Sequence, residues 1–276
     1  MAETKGPIGV FDSGYGGLTI LSEIRRLMPE YDYLYLGDNA RAPYGSRSFE
    51  VVYLFTLQAV EYLFKQGCRL VILACNTASA KALRTIQQND LPRIDPARRV
   101  LGVIRPTVEK LGELTGTGNI GVLGTVGTIQ SGSYTMEIEK MYPDYHVFGQ
   151  PCPMWVPLVE YMEADGDGAD YFVKKYIDEL FGQSQGIDTV ILGCTHYPLL
   201  YPKILKYMPE GVNVIKQGPI VADSLKDYLK RHPEIDTVCS KSGKCRYLTT
   251  ENAGKFAPLA SVFLDHPVEA EQISLT

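Results

Sequence analysis

Two cysteines recur in one local setting. Leu70-Val71-Ile72-Leu73-Ala74-Cys75-Asn76-Thr77 and Val190-Ile191-Leu192-Gly193-Cys194-Thr195-His196 each run from an apolar stretch into a thiol followed by small polar residues, 119 positions apart. Two thiols facing each other across a cleft suit the inversion of a carbon centre by proton transfer. One takes a proton from one face, the other delivers a proton to the opposite face, and reversal exchanges the roles. The base must be the thiolate and the acid the thiol; an ordinary cysteine pKa of about 8.5 lies within reach of neutral pH when a helix N-terminus assists. Both cysteines precede segments read as helices, so backbone N–H groups are expected near each sulfur.

Auxiliary groups stand at the matching turns. Asp12 and Ser13 end the first apolar stretch, Ile8 to Phe11, and His196 follows Cys194 by two residues. A carboxylate near one thiol and an imidazole near the other would assist proton transfer by position and charge. Ser13, Asn76, Thr77, Thr125, Thr128 and Thr195, with the amides of Tyr44 and Gly45, form a neutral, donor-rich set suited to the carboxylates and ammonium group of an amino acid. Tyr44 fits a packed loop aromatic equally well. Cys68 and Cys152 read as core or loop thiols without a role. Cys239 and Cys245 lack zinc-site spacing and read as a surface turn, so no metal is expected. His146, His232 and His266 lie in polar surroundings and read as surface residues. Gly14-Tyr15-Gly16-Gly17 is not a G-x-G-x-x-G loop, no G-K-[ST] occurs and no pyridoxal-phosphate motif is visible, so no cofactor is expected.

The elements that must position these groups alternate between strand and helix. Unbroken apolar runs predict buried parallel strands at 8–11, 33–36, 70–73, 100–104, 120–123, 145–148 and 189–192, with further strands at 212–215 and 244–249. Helical spacing is found over 19–28, 49–66, 78–88, 108–114, 134–141, 156–162, 169–181, 220–230 and 253–263. The order strand–turn, strand–loop, helix, strand–cysteine occurs twice, Ile8 matching Ile120 and Val71 matching Val190. The expected fold is therefore α/β: two similar parallel-sheet domains related by a pseudo-twofold axis, with the site in the cleft between them. Residues 1–104 plus 217–276 would form the first domain and 105–216 the second. Ligands in such folds lie beyond the carboxyl ends of the strands, where both cysteines fall.

Composition narrows the classes. A net charge of −5 without a basic run argues against a nucleic-acid partner. No apolar stretch reaches membrane-span length, and the first eight residues lack the features of a signal peptide, so a soluble cytoplasmic protein with six reduced thiols is expected.

The motifs IGVFDSGYGGL (8–18), APYG (42–45), ACNTAS (74–79), IGVLGT (120–125), PLVE (157–160) and GCTHYP (193–198) resemble, in order and along nearly the whole chain, those of glutamate racemase. The tail 246–265 is similar to that family's ending. The resemblance implies a cofactor-independent enzyme interconverting L- and D-glutamate, the D form feeding peptidoglycan synthesis, in a molecule that is often a homodimer. It implies that Cys75 deprotonates D-glutamate and Cys194 deprotonates L-glutamate, with Asp12, Glu160 and His196 assisting. It places Ser13, the Pro43-Tyr44-Gly45 loop, Asn76, Thr77 and Thr195 at the substrate. An acidic substrate other than glutamate, aspartate in particular, is the competing expectation; an amino-acid-binding protein on a retired scaffold would require a lost cysteine, and both are present. The stretch 216–224 departs from the acidic pattern associated with many members. It is expected outside the site, with effects confined to the tail. With the first strand at residue 8, no regulatory N-terminal extension is expected.

Overall fold

A computed structural model of the chain describes residues 5–275. Its strands are β1 (Ile8–Asp12), β2 (Tyr33–Gly37), β3 (Leu70–Leu73), β4 (Arg99–Gly102), β5 (Asn119–Gly124), β6 (His146–Pro151), β7 (Thr189–Gly193), β8 (Asn213–Ile215), β9 (Cys245–Thr249) and β10 (Ala270–Gln272). They form two sheets, both parallel throughout. One has six strands in the order β10-β9-β2-β1-β3-β4, the other four in the order β6-β5-β7-β8. Every residue of β1, β2, β3 and β7 is buried, which is why these strands read as unbroken apolar runs.

The internal repeat is visible in the strand order. β2-β1-β3-β4 corresponds to β6-β5-β7-β8, with β1 and β5 central, β3 ending two residues before Cys75 and β7 ending one residue before Cys194. The tail strands β9 and β10 extend the first sheet at its β2 edge. Helix Gln217–Arg231 packs against helix Gly17–Leu27, so this segment too lies on the first sheet's side of the molecule.

Several boundaries differ from the sequence expectation. The helix expected from residue 78 starts at Asn76, because Cys75 itself serves as its N-cap, and it breaks after Lys81 before a π-helical turn at Ile86–Asp90. β4 ends at Gly102 and helix Ile104–Glu109 begins there, Pro106 being tolerated in a first helical turn. After Cys194 the chain makes a 3-10 turn, Tyr197–Leu200, before helix Tyr201–Tyr207, so no α-helix starts directly at the second thiol. Cys239 is not on a surface turn: it is 1% exposed and packs in the main core, while Cys245 begins β9.

The packing of helix Gln217–Arg231 yields a contrast. Leu225 is buried on its inner face, whereas Leu54, on helix Phe49–Lys65, is half exposed. Leu225→Ala should cost about 2–5 kcal/mol by the transfer and cavity terms, and Leu54→Ala no more than about 0.5 kcal/mol. Urea unfolding midpoints check both; equal shifts would contradict this burial.

Candidate active site

The carboxyl ends of β1 and β3 in one sheet and of β5 and β7 in the other meet around a cavity of about 270 Å³. Cys75 and Cys194 both line it, one from each sheet. A larger cavity of about 780 Å³, walled in part by Arg84, Arg105 and Arg231, contains neither thiol.

Around Cys75 the sequence dictates a strand end turning into a helix. Residues 70–73 fill the sheet, and the sulfur then caps the next helix, accepting from the Ala78 amide at 3.4 Å. Ser13, just past β1, brings its Oγ to 3.4 Å from the same sulfur. Burial pushes the Cys75 thiol up to about 12, reinforced by the Asp12 charge and opposed by the bonds from Ser13 and Ala78. Asp12 lies beneath the cavity rather than on its wall. Its carboxylate accepts from the Gly14 amide at 2.7 Å and from Thr195 Oγ1 at 3.4 Å, so it ties the first turn to the second thiol's turn. Burial raises the Asp12 carboxyl, opposed chiefly by the charge of His196.

The surroundings of Cys194 differ. His196 Nδ1 stands 3.8 Å from Cys194 Sγ, and its Nε2 is 3.0 Å from Glu160 Oε1. Burial disfavours the imidazolium, but hydrogen bonding and negative charge at Cys194 and Glu160 outweigh it and raise His196 to about 10. Glu160 comes from the end of helix Trp155–Glu160, anchored by the fully buried Trp155 packed edge-on against Tyr197. The loop Ser13–Gly16 presses directly on this turn. A Cβ on Gly16 would lie 2.3 Å from Thr195 Oγ1 and 2.5 Å from His196 Nδ1, so only glycine fits.

The hydroxyl set falls where the two halves touch. Thr77 Oγ1 lies 2.9 Å from Thr125 Oγ1 and 3.3 Å from Thr128 Oγ1, and Thr125 caps its own helix at the Thr128 amide. Thr77 and Thr125 face the cavity; Thr128 is buried behind them. Pro43, Tyr44 and Gly45 line the wall, and the Gly45 carbonyl accepts from the Gly127 amide at 2.7 Å. Tyr44 is also a packed aromatic: 1% exposed, its hydroxyl donates to the buried Asp38, and its ring rests against Phe11 and Phe55. The packed-aromatic reading of Tyr44 therefore holds, and the residue also borders the cavity. No cluster of three or more His, Cys, Asp or Glu side chains able to hold a metal occurs among the described residues.

Some site residues escaped the sequence reading. Cys152, given no role, lies on the cavity wall. Gln217 belongs to the stretch expected outside the site, yet its Oε1 accepts from Asn76 Nδ2 at 2.7 Å, one residue from Cys75. Tyr134 donates to Asn76 Oδ1 at 2.7 Å. Chain separations of 141 and 58 residues hide both contacts from any local motif.

The sequence pattern described as Asp/Glu/Hydantoin racemase matches residues 18–225. A glutamate racemase of Persephonella marina is 40% identical over 270 residues, covering 98% of this chain and 97% of that protein. Glutamate racemase isoform RacE1 of Bacillus anthracis superposes with a TM-score of 0.89 at 34% identity, covering 98% of each chain. The Francisella tularensis enzyme, solved with D-glutamate, gives 0.87 at 33% identity, again over 98% of each chain. With both strand-end cysteines in place and similarity running from end to end, the chain belongs to the Asp/Glu/Hydantoin racemase family and, within it, to the glutamate racemases.

Proposed function

We propose that this protein interconverts L- and D-glutamate, with Cys75 and Cys194 as alternating base and acid and no cofactor. The observation that carries the reading is that the two repeat-related thiols line one cavity from opposite sheets, in a chain similar to glutamate racemases over its full length. From L-glutamate, the Cys194 thiolate takes the Cα proton, the electron pair passes into the α-carboxylate, and the Cys75 thiol protonates the opposite face. Cys194 then carries the proton and Cys75 the negative charge; the D-to-L direction runs the same steps backwards.

The surroundings of the two thiols support this division. Burial and the Asp12 charge keep Cys75 protonated at rest, the form an acid needs. The His196 imidazole, raised to about 10, stands beside Cys194 as a cation, and Glu160 balances it from its other side. In the reverse direction the Ser13 hydroxyl and Ala78 amide bear on the Cys75 sulfur when it becomes the base. Ser13, Asn76, Thr77, Thr125 and Thr195, with the Pro43–Gly45 loop, supply donors for the substrate carboxylates. Asp12 and Thr128 act from behind the wall, Asp12 by holding the Thr195 turn and Thr128 by holding Thr77.

The wider reading is of a cytoplasmic homodimer supplying D-glutamate for peptidoglycan and cell shape. Its domains run from 1–104 plus 217–276 and from 105–216, with substrate held between them. No helix among the described residues is long and apolar enough to cross a membrane, which accords with that placement.

Two measurements test the proposal. In deuterated water the product should carry solvent deuterium at Cα, and Cys75→Ala and Cys194→Ala should each lower interconversion by about two to four orders of magnitude. Near wild-type rates in either variant would refute the two-thiol mechanism; exchange of aspartate but not glutamate would reassign the substrate. The second concerns pH. Glu160 raises His196, whose cationic form is held up to about pH 10. Glu160→Gln removes that negative charge, so the alkaline limb of kcat/KM should move to lower pH. An unmoved limb would show that Glu160 does not set the charge of His196.

A further inference from the structure

We infer that Gln217 is a positioning residue for the reaction: it fixes which end of the Asn76 side-chain amide faces the substrate. The inference rests on the reading of Asn76 as a substrate ligand, and it starts from a closed ring of hydrogen bonds. Gln217 Oε1 accepts from Asn76 Nδ2 at 2.7 Å, Asn76 Oδ1 accepts from the Tyr134 hydroxyl at 2.7 Å, and that hydroxyl accepts from Gln217 Nε2 at 2.8 Å. All three side chains are buried, Gln217 to 3% exposure. They come from different elements: Asn76 begins helix Asn76–Lys81, Tyr134 lies on helix Ser133–Met141 and Gln217 begins helix Gln217–Arg231.

A ring of two amides and one hydroxyl could run in either sense, since reversing both amides and the hydroxyl preserves every bond within it. What breaks the tie lies outside. Gln217 Nε2 also meets the Val103 carbonyl at 3.2 Å and Thr107 Oγ1 at 2.8 Å. A backbone carbonyl only accepts. Reversing Gln217 would set Oε1 against the Val103 oxygen, an unpaired buried contact costing about 1–3 kcal/mol. Thr107 adds to the bias, because its own hydroxyl hydrogen is donated to the same Val103 oxygen at 3.0 Å, leaving Oγ1 to accept. The sense is therefore fixed, and Asn76 must turn its nitrogen to Gln217 and its oxygen to Tyr134.

The consequence reaches the cavity. Asn76 Nδ2 carries two hydrogens and spends one on Gln217; among the described residues the other has no side-chain or backbone partner. Asn76 lines the cavity next to Cys75, so the locked amide offers an N–H there. A carboxylate needs a donor, and a reversed amide would present an acceptor and repel it. Gln217, one hydrogen bond behind the cavity wall, thus sets the sign of a substrate contact through Asn76.

Gln217→Met keeps the side-chain length while removing both polar atoms. KM for glutamate should rise about tenfold, one hydrogen bond to a charged group, with a much smaller change in kcat. In the double variant with Asn76→Ala, KM should match that of Asn76→Ala alone, because the two losses are one. An unchanged KM in Gln217→Met, or losses that multiply in the double variant, would overturn the inference. Tyr134→Phe opens the same ring from its other side, should move KM in the same direction, and serves if Gln217→Met does not fold; an unchanged KM there counts equally against it. A readout independent of substrate is solvent exchange of the Asn76 side-chain amide hydrogens, assigned by NMR from their loss in Asn76→Ala. Exchange should accelerate in Gln217→Met; equal exchange would refute the lock whichever amino acid the wild-type enzyme racemises. Failure of the wild type to act on glutamate would instead refute the assigned activity.

Discussion

The structure depends on one constraint: titratable groups are buried at a seam between two sheets, and each charge among them must be compensated by a neighbour. Cys75, Cys194, Asp12 and His196 are all 6% exposed or less. Burial alone disfavours every charge among them. Asp12, from β1, is opposed by the charge of His196 beyond β7, and His196 in turn is held by Cys194 and by Glu160 from a third segment. Asp12 thus draws its chief compensation from across the seam, whereas Cys75 finds Ser13 and Ala78 on its own side and His196 finds Cys194 and Glu160 on its own. The cavity nonetheless lies where the halves meet, lined from both sheets.

That contact is unusually intimate because small residues make it. Gly16 leaves no space for a Cβ against Thr195 and His196, and a Cβ on Gly45 would lie 2.9 Å from Thr125. Backbone joins backbone at Gly127 and Gly45, and Thr19 Oγ1 donates to the Thr195 carbonyl. The glycine-rich turn after β1, which sequence alone marks only as a tight turn, thus has a second purpose. It brings the chain close enough for one turn to press on Thr195 and His196 of the other. Repetition of β2-β1-β3-β4 as β6-β5-β7-β8 supplies the two thiols, and the turns then diverge: a serine beside one, an imidazole–carboxylate pair beside the other.

What could be read from the sequence follows the range of the interactions involved. Continuous apolar runs identify β1, β3, β5 and β7 because each is buried, and repetition of the strand-end cysteine picks out the two thiols that line one cavity from opposite sheets. Asn76 and Thr77 are legible as polar residues at a strand end, but their partners are not. Thr77 meets Thr125 at a separation of 48 residues, and Asn76 meets Gln217 at 141. The Lys216–Gln217 start of a helix carries no local mark of its burial, since Gln217 is polar and its helix is amphipathic. Cys239 fails as a surface residue for the opposite reason: polar neighbours in sequence surround a thiol that tertiary packing takes into the core.

The composition of the cavity wall explains how one site can serve both directions. Among the residues lining it there is no lysine or arginine; His196 is the only cation-forming side chain. Binding an acidic amino acid would be tighter with a guanidinium at hand, but such a charge would also lower both thiols and leave neither as an acid. The reaction needs one proton shared between two sulfurs, so the field must distinguish them by a modest and reversible amount. Neutral donors hold carboxylates without supplying net charge. A single imidazole, its cation favoured by Glu160, stands beside Cys194, where Cys75 has the neutral Ser13 hydroxyl. Orientation of each neutral donor then matters more than its charge, because an amide or hydroxyl turned the wrong way presents an acceptor. Fixing donor orientation at Asn76 by a ring of buried amides and hydroxyls is the structural counterpart of leaving arginine out.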